Sequence, residues 1–277
     1  MNAHQGLEAF FSRPATEIGA DPAWHEQHQR LLLELEAGAL RAATPPREPG
    51  GDWQVQAWVK TAILAGFRSS PIEEQASAVG RAFDKTAFPP RSFGSDDGIR
   101  LVPGGSAVRR GAHLAPGVVV MPPSYVNVGA FVGAGTMIDS HVLVGSCAQI
   151  GSAVHLSAGA QIGGVLEPAG ARPVIVEDEV FLGALCGLFE GVRVKRRAVI
   201  AAGVLLTAST PIFDLVFGAE YRGEVPEGAV VVPGSRPASG RFGHDRGLQV
   251  AAAMIVKYRD EKTSAATVLE TALREAA

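Results

Sequence analysis

The residue types best suited to metal chemistry in this 277-residue chain are three histidines, His113, His141 and His155, and two cysteines, Cys147 and Cys186. A hydratase-type zinc site needs three histidines meeting at one point. Counted in a six-residue frame from Val108, the histidines occupy positions six, four and six, on three successive faces of a coiled chain. Within one chain they do not converge, and only neighbouring subunits could gather them. The cysteines have no C-x-x-C spacing, so neither a zinc site nor a disulfide framework is expected, and no permanently bound cofactor. Lys257 and Lys262 have the charge to pair with the phosphates of a nucleotide, or simply to stay solvated. The basic run at 193–197 reads as a solvated rim.

The six-residue frame is what must position such groups. An aliphatic residue falls at 108, 114, 120, 126, 132, 138, 144, 150, 156 and 162 without a slip, and a fixed short period decides architecture before local propensity is weighed. Six is three strand periods, so one residue per hexad points inward and a small residue at position five sits beside it near a corner. Three hexads close a triangular coil, and coils stacked about 4.8 Å apart form a parallel β-helix filled by ladders of Val, Ile and Leu. Gly111, Gly117, Gly129 and Gly135 take the fourth position, where a tight corner asks for positive φ. After Glu167 the phase breaks. Residues 168–175 are extruded, and the register resumes at Val176, Leu182, Leu188, Val194, Ile200 and Leu206, ending near Ile212.

Twenty-five Lys and Arg against 28 Asp and Glu give a net charge of −3, which leaves no long basic face for a nucleic acid. No run approaches the roughly 18 apolar residues of a membrane span and no signal pattern opens the chain, so a cytoplasmic location and no membrane partner are expected. The flanks change period. Residues 24–41 carry Trp24, His28, Leu31, Leu32, Leu35 and Leu40 at helical spacing, and 55–67 repeat this with Trp58, Ile63 and Leu64. Pro45, Pro46 and the 49–51 stretch break the helices, and 89–98 is the linker into the coil. Beyond Val225, 229–232 and 250–258 read as strands and 264–274 as a closing helix.

A coil of this kind has uses in three classes: an acyltransferase that binds coenzyme A along a groove between coils, a metal-dependent hydratase, or an assembly scaffold. A scaffold has no need of irregular polar insertions and two flanking domains. On the late coils Ala201, Ala202 and Gly203 are small enough to let a pantetheine arm approach the backbone, and are equally plain packing.

Five segments carry a resemblance: Ser124-Tyr-Val-Asn-Val-Gly-Ala, Gly135-Thr-Met-Ile-Asp139, Val144-Gly-Ser-Cys-Ala-Gln-Ile-Gly151, Val154-His-Leu-Ser157 and Ile162-Gly-Gly-Val-Leu-Glu-Pro168. In them the chain resembles the tetrahydrodipicolinate N-succinyltransferases. Gly38-Ala-Leu-Arg41, Trp58-Val-Lys60 and Phe83-Asp-Lys85 extend the likeness toward the N-terminus, and Tyr221-Arg-Gly-Glu-Val-Pro226 and Ile255-Val-Lys257 toward the C-terminus. The expected fold is then a left-handed parallel β-helix of hexapeptide repeats (99–215, with loop 168–175). An α-helical N-terminal domain (1–98) precedes it and a small α/β C-terminal cap (216–277) follows.

The resemblance implies a homotrimer of the diaminopimelate route to lysine, with sites between subunits. It would transfer an acyl group from succinyl-CoA or acetyl-CoA to the amino group of an amino-dicarboxylate acceptor, open-chain 2-amino-6-oxopimelate. Such chemistry asks for a base at the amine, an acid near the leaving thiolate or oxyanion, and donors for the carboxylates. Asp139 matches the family carboxylate at the substrate amine. Glu190 matches a second acid, relaying a proton from the adjacent subunit. Arg100 matches an arginine that clamps a substrate carboxylate. The plain alternatives are a corner Asp accepting backbone N–H bonds and a solvated Glu beside a turn glycine.

The departures bear on substrate and donor. Gly183-Ala-Leu185-Cys186-Gly187 stands where the family reads Gly-Ala-Arg-Ser-Glu, Pro211 replaces an arginine after Ser209-Thr210, and His141 replaces an aromatic residue. Each lost arginine removes a carboxylate contact worth roughly 1.5–3 kcal/mol. Two readings follow: a succinyl-CoA enzyme of lysine synthesis, or a paralogue resembling the acyltransferases of tabtoxin-type metabolism that uses acetyl-CoA. His141 is a further candidate for substrate contact, or for the base itself. The 168–173 loop is expected to cover the acceptor site, and a three-faced prism packs readily about a threefold axis.

Overall fold

The computed structural model describes residues 4–48, 51–77 and 80–259. Its centre is a prism with three parallel sheets, each built from two-residue strands in strict register. Face I stacks Arg100–Leu101 under the strands at 119–120, 137–138, 155–156, 181–182, 199–200 and 230–231. Face II stacks 107–108, 125–126, 143–144, 161–162, 187–188 and 205–206. Face III stacks 113–114, 131–132, 149–150, 175–176, 193–194 and 224–225. The chain visits II, III and I in turn, so residues 18 apart in an uninterrupted stretch lie one above the other.

The aliphatic residue at position one of each hexad lies inside, and the small residue at position five joins it: Val108, Val126, Ile138, Ile150 and Leu156 are buried, and so are Ala112, Ala130, Ala148 and Ala160. Burying each of the larger side chains contributes roughly 1.5–3 kcal/mol. The excursion after Ile162 differs slightly from the expected one. Ile175 is already back in a strand, paired with Gln149 and Arg193, so the irregular stretch is 163–174.

Among the described residues four α-helices precede the prism, α1 (Gln5–Phe11), α2 (Ala15–Ala20), α3 (Trp24–Glu36) and α4 (Ala57–Ser69). Only the last two carry enough apolar periodicity to be read from sequence. Helix α3 ends in a left-handed Gly38 at φ 72°, where a Cβ would strike the His113 ring. Helix α4 ends where Ser70 Oγ donates to the Gly66 carbonyl and Pro71 follows. The helices pack on the edge between faces II and III, their core taking in Val128 and Cys147 from the coil. Gly111 and Gly129 make that approach possible: a Cβ on either would meet Leu32 or Ile63 at 2.8 Å. A hairpin of 72–77 and 80–85 follows α4, unforeseen because its residues are charged and largely exposed.

Past Leu206 the coil is interrupted, and it resumes with 224–225 on face III and 230–231 on face I. The strand Pro211–Asp214 turns back on Ala219–Arg222 and runs parallel to part of Gln249–Tyr258, which pairs antiparallel with Ala229–Pro237. The strand expected at 229–232 continues to Pro237, and a short helix, α5 (Arg241–Asp245), makes the reversal. The expected helix at 264–274, and Lys262, lie outside the described residues. Among the described residues no helix is long and apolar enough to cross a membrane.

Candidate active site

Asp139, His141, Glu190, Ala201 and Gly203 sit in turns of the coil, so the hexad phase fixes the edge of each. Asp139 leaves face I toward face II. Its Oδ1 accepts the Ser140 N–H at 2.7 Å, while Ser124, buried at position five one coil below, donates its hydroxyl to the Asp139 carbonyl at 2.8 Å. Its second carboxylate oxygen has no hydrogen-bond partner among the described residues, and the side chain is partly exposed. The corner role and an available oxygen thus coexist.

His141 follows in the same turn at φ 63°, and Gln161 donates to its carbonyl at 3.1 Å. Two coils further along that edge lies Leu185 at φ 59°, 70% exposed, its side chain folded over Gly159. One coil beyond are Ala202 and Gly203, exposed, and Ala201, whose side chain is buried in the prism core. Ala201 therefore offers a ligand backbone groups alone. Its N–H donates to the Val231 carbonyl, which brings in the cap strand bearing Lys257, opposite Val230 and partly exposed. Arg100 is exposed on face I two strands below Met137, roughly 10 Å from it along the axis at the usual strand spacing. Arg100, Asp139, His141, Gly203 and Lys257 thus follow one side of the prism from end to end.

Glu190 does not join them. It leaves face II toward face III, on the next edge and further along the axis, and its Oε2 accepts the Ala208 N–H at 3.2 Å. Its φ is 54° and that of Gly191 is 72°, two successive left-handed residues, where the turns at Gly129, Gly135, His141 and Leu185 have one. The 163–174 excursion packs beside it, and a cleft of about 430 Å³ is lined by Val165, Pro168, Ala171, Arg172 and Glu190. Within one chain the loop therefore borders Glu190 and does not lie over Asp139. Lys60 and Arg172 hold it. Lys60 is fully buried, burial lowers its ammonium pKa, and its Nζ donates to the Ala171 carbonyl at 2.5 Å. Arg172 donates from Nε to the Gly191 carbonyl at 2.8 Å and from its terminal nitrogen to that of Gly223 at 2.9 Å. Neither was picked out for a site role by sequence. The signal for Lys60 is a lysine one position from Val59 and three from Ile63, on the buried stripe of α4.

The histidines do not assemble. His113 lies on face III, stacked on Phe131 and bonded to the Glu36 carbonyl, His155 on face I, stacked on Phe181, and His141 at an edge. Among the described residues no cluster of His, Cys, Asp or Glu could hold a metal. Burial pushes the Cys147 thiol up to about 12 and the Cys186 thiol to about 11, so neither serves as a thiolate nucleophile at neutral pH. A larger cleft, about 710 Å³, lies against face III between Arg41, Trp53, Phe131 and Asp178, away from both acids.

The family model "Tetrahydrodipicolinate N-succinyltransferase N-terminal" matches residues 6–69, and that of the hexapeptide repeat of succinyl-transferase matches 173–208. Among curated relatives, the 2,3,4,5-tetrahydropyridine-2,6-dicarboxylate N-succinyltransferase of Rhodopseudomonas palustris is 42% identical over 96% of both chains. The protein of that name from Aromatoleum aromaticum is 45% identical over 97% of both, and that of Neisseria meningitidis 44% over 99%. A Campylobacter jejuni crystal structure described as a 2,3,4,5-tetrahydropyridine-2-carboxylate N-succinyltransferase shares the fold at TM-score 0.50 and 19% identity. The match covers 83% of this chain and 62% of that one. A parallel coil of hexads, N-terminal helices docked on one edge and these full-length likenesses agree: the chain belongs to the tetrahydrodipicolinate N-succinyltransferase family of hexapeptide-repeat acyltransferases.

Proposed function

We propose that this chain is a CoA-dependent N-acyltransferase that moves a succinyl group onto the amino group of tetrahydrodipicolinate in its open 2-amino-6-oxopimelate form. The observation that carries the reading is identity of 42–45% with proteins so named, over nearly the whole of both chains. The same reading takes the coil as left-handed, the active unit as a homotrimer, the location as the cytoplasm and the three parts as 1–98, 99–215 and 216–277. Acyl-CoA is a co-substrate.

The chemistry needs a neutral amine, a carbonyl that can carry negative charge and a thiolate that can leave. Asp139 takes the proton lost by the amine as the new C–N bond forms. The tetrahedral intermediate then collapses, the C–S bond breaks, and the sulfur receives a proton by way of Glu190. Because Asp139 and Glu190 occupy different edges of one prism, the pair meets only if the second edge of one subunit faces the first edge of the next, which places each site at a subunit contact. Arg100 clamps an acceptor carboxylate, His141 lies against the acceptor, and the pantetheine arm lies along the edge at Ala201 and Gly203. Lys257 pairs with the nucleotide phosphates, and Lys262, which lies outside the described residues, is a second candidate for that role.

One observation favours acetyl-CoA instead as donor. The turns of the Asp139 edge carry no Lys or Arg among the described residues, and Leu185 is exposed between Asp139 and Gly203. Transfer to 2-aminopimelate with succinyl-CoA and acetyl-CoA side by side, followed by free thiol release, tests both. A succinyl preference supports the first reading and an acetyl preference the second. No turnover with either would overturn the proposed acceptor.

A further inference from the structure

We propose that the 163–174 excursion is a brace for the turn that carries Glu190, and that Lys60 and Arg172 are its positioning residues. The proposal rests on the reading of Glu190 as the second acid. The geometry is that of a strut with both ends fixed. At one end the fully buried Lys60, from helix α4, has the Ala171 carbonyl as its hydrogen-bond partner among the described residues. An ammonium taken out of water is costly unless its bonds are made, so its place on the buried stripe of α4 commits the helix to this loop. At the other end Arg172 spans two carbonyls, Gly191 next to Glu190 and Gly223 in the cap. One planar guanidinium thereby sets the spacing of two separate turns.

The turn itself bears the mark of that contact. A Cβ on Gly191 would lie 2.4 Å from the Arg172 carbonyl oxygen, so the loop backbone crowds the turn while the Arg172 side chain holds it. Left-handed φ at a glutamate is unfavourable and persists where surrounding structure fixes it. Lys60 and Arg172 thus link the helical domain and the cap to one carboxylate through backbone carbonyls.

A double-mutant cycle on the full-length enzyme reads this. Arg172→Met and Lys60→Met are each made in the wild type and in Glu190→Gln, and kcat and the KM for acyl-CoA are measured. In the wild type each lowers kcat roughly 10- to 100-fold, the size of a misplaced catalytic group, while KM for acyl-CoA holds, since neither is among the residues placed against the CoA, Ala201, Gly203 and Lys257. In the Glu190→Gln background neither costs anything further, because the group they position is gone. Equal losses in both backgrounds indicate a general structural role and overturn the brace. Should Lys60→Met fail to fold, Arg172→Lys carries the test: it keeps the charge but gives up the two-carbonyl span, and an undiminished kcat overturns the proposal. Glu190→Gln at the wild-type rate separately overturns the reading of Glu190 on which the proposal rests.

Discussion

Two edges of the same prism solve the placement of a carboxylate in opposite ways. At the edge between faces I and II, Asp139 is held by the repeat: a Ser hydroxyl from the coil below and its own neighbour's N–H fix it, and among the described residues no hydrogen bond reaches that turn from outside the coil. At the edge between faces II and III, Glu190 is held by material that breaks the repeat. The excursion, a buried lysine from the helical domain and an arginine tied to the cap all converge there. A regular coil positions side chains to within its register at no cost in sequence, but it repeats whatever it builds. A single unrepeated geometry needs an insertion.

The difference is broken most directly by removing one carboxylate from each edge. Asp139→Asn and Glu190→Gln are each expected to lower kcat about 10²–10⁴-fold, the usual contribution of a positioned acid or base. With sites between subunits, co-assembled mixtures of the two variants regain part of the activity, since some sites then pair an intact Asp139 with an intact Glu190. Mixtures as inert as the separate variants would show that the two edges do not meet.

Acid separates the edges next, because only one depends on the helical domain. His28 is buried, its Nε2 bonded to the Ala87 carbonyl at 3.1 Å and its ring stacked on Trp24, and burial depresses its pKa from 6.5 to about 4. The unfolded chain therefore binds the extra proton between those values. The neutral form's stability is complete above pH 6.5 and lost as pH falls to about 4, about 3 kcal/mol across the window. Urea midpoints measured at pH 6.5 and 4.5 should fall steeply for the wild type and less for His28→Phe. Equal slopes would remove His28 as the cause.

How much of this was written in the sequence follows from the range of the interactions. The three faces were legible because Val108, Val126 and Ile138 obey a local period, and the same count assigns Asp139 and Glu190 to different edges. The places of α3 and α4 were legible from Leu31, Leu35 and Ile63, although the expected 24–41 runs past the end of α3 at Glu36 and 55–67 lies two residues ahead of α4. The brace was not: Lys60 and Ala171 are 111 residues apart, and no local pattern names the acceptor of a buried lysine. The hairpin at 72–85 was missed because its exposed, charged strands lack the alternation that marks a half-buried sheet. Ala201 could be read as lining or as packing, because its smallness is the same whether a ligand or the core adjoins it.

The coil edge is also where donor choice is most easily changed. Leu185→Arg places a guanidinium between Asp139 and Gly203, one coil from Gly203, at a position already 70% exposed, so folding should be little affected. If a succinyl carboxylate passes there, the ratio of kcat/KM for succinyl-CoA over acetyl-CoA rises about tenfold or more, as one charge-assisted hydrogen bond allows. An unchanged ratio would show that the acyl group lies elsewhere.

The smallest effect is the most diagnostic of how each turn is held. Leu185 and Glu190 both occupy left-handed φ, at 59° and 54°, a region that costs ordinary side chains roughly 1–2 kcal/mol and asparagine less. Leu185→Asn relieves that cost against the loss of a loose contact over Gly159, and should raise Tm by about 2 °C. Glu190→Asn relieves the same backbone preference but is too short to keep the bond to the Ala208 N–H, so its Tm should stay level or fall. Equal gains at the two positions would mean that both turns are strained alike and that the second edge is not held by its side chains. A gain at Leu185 alone would mean that the register tolerates strain on the first edge which bonding offsets on the second.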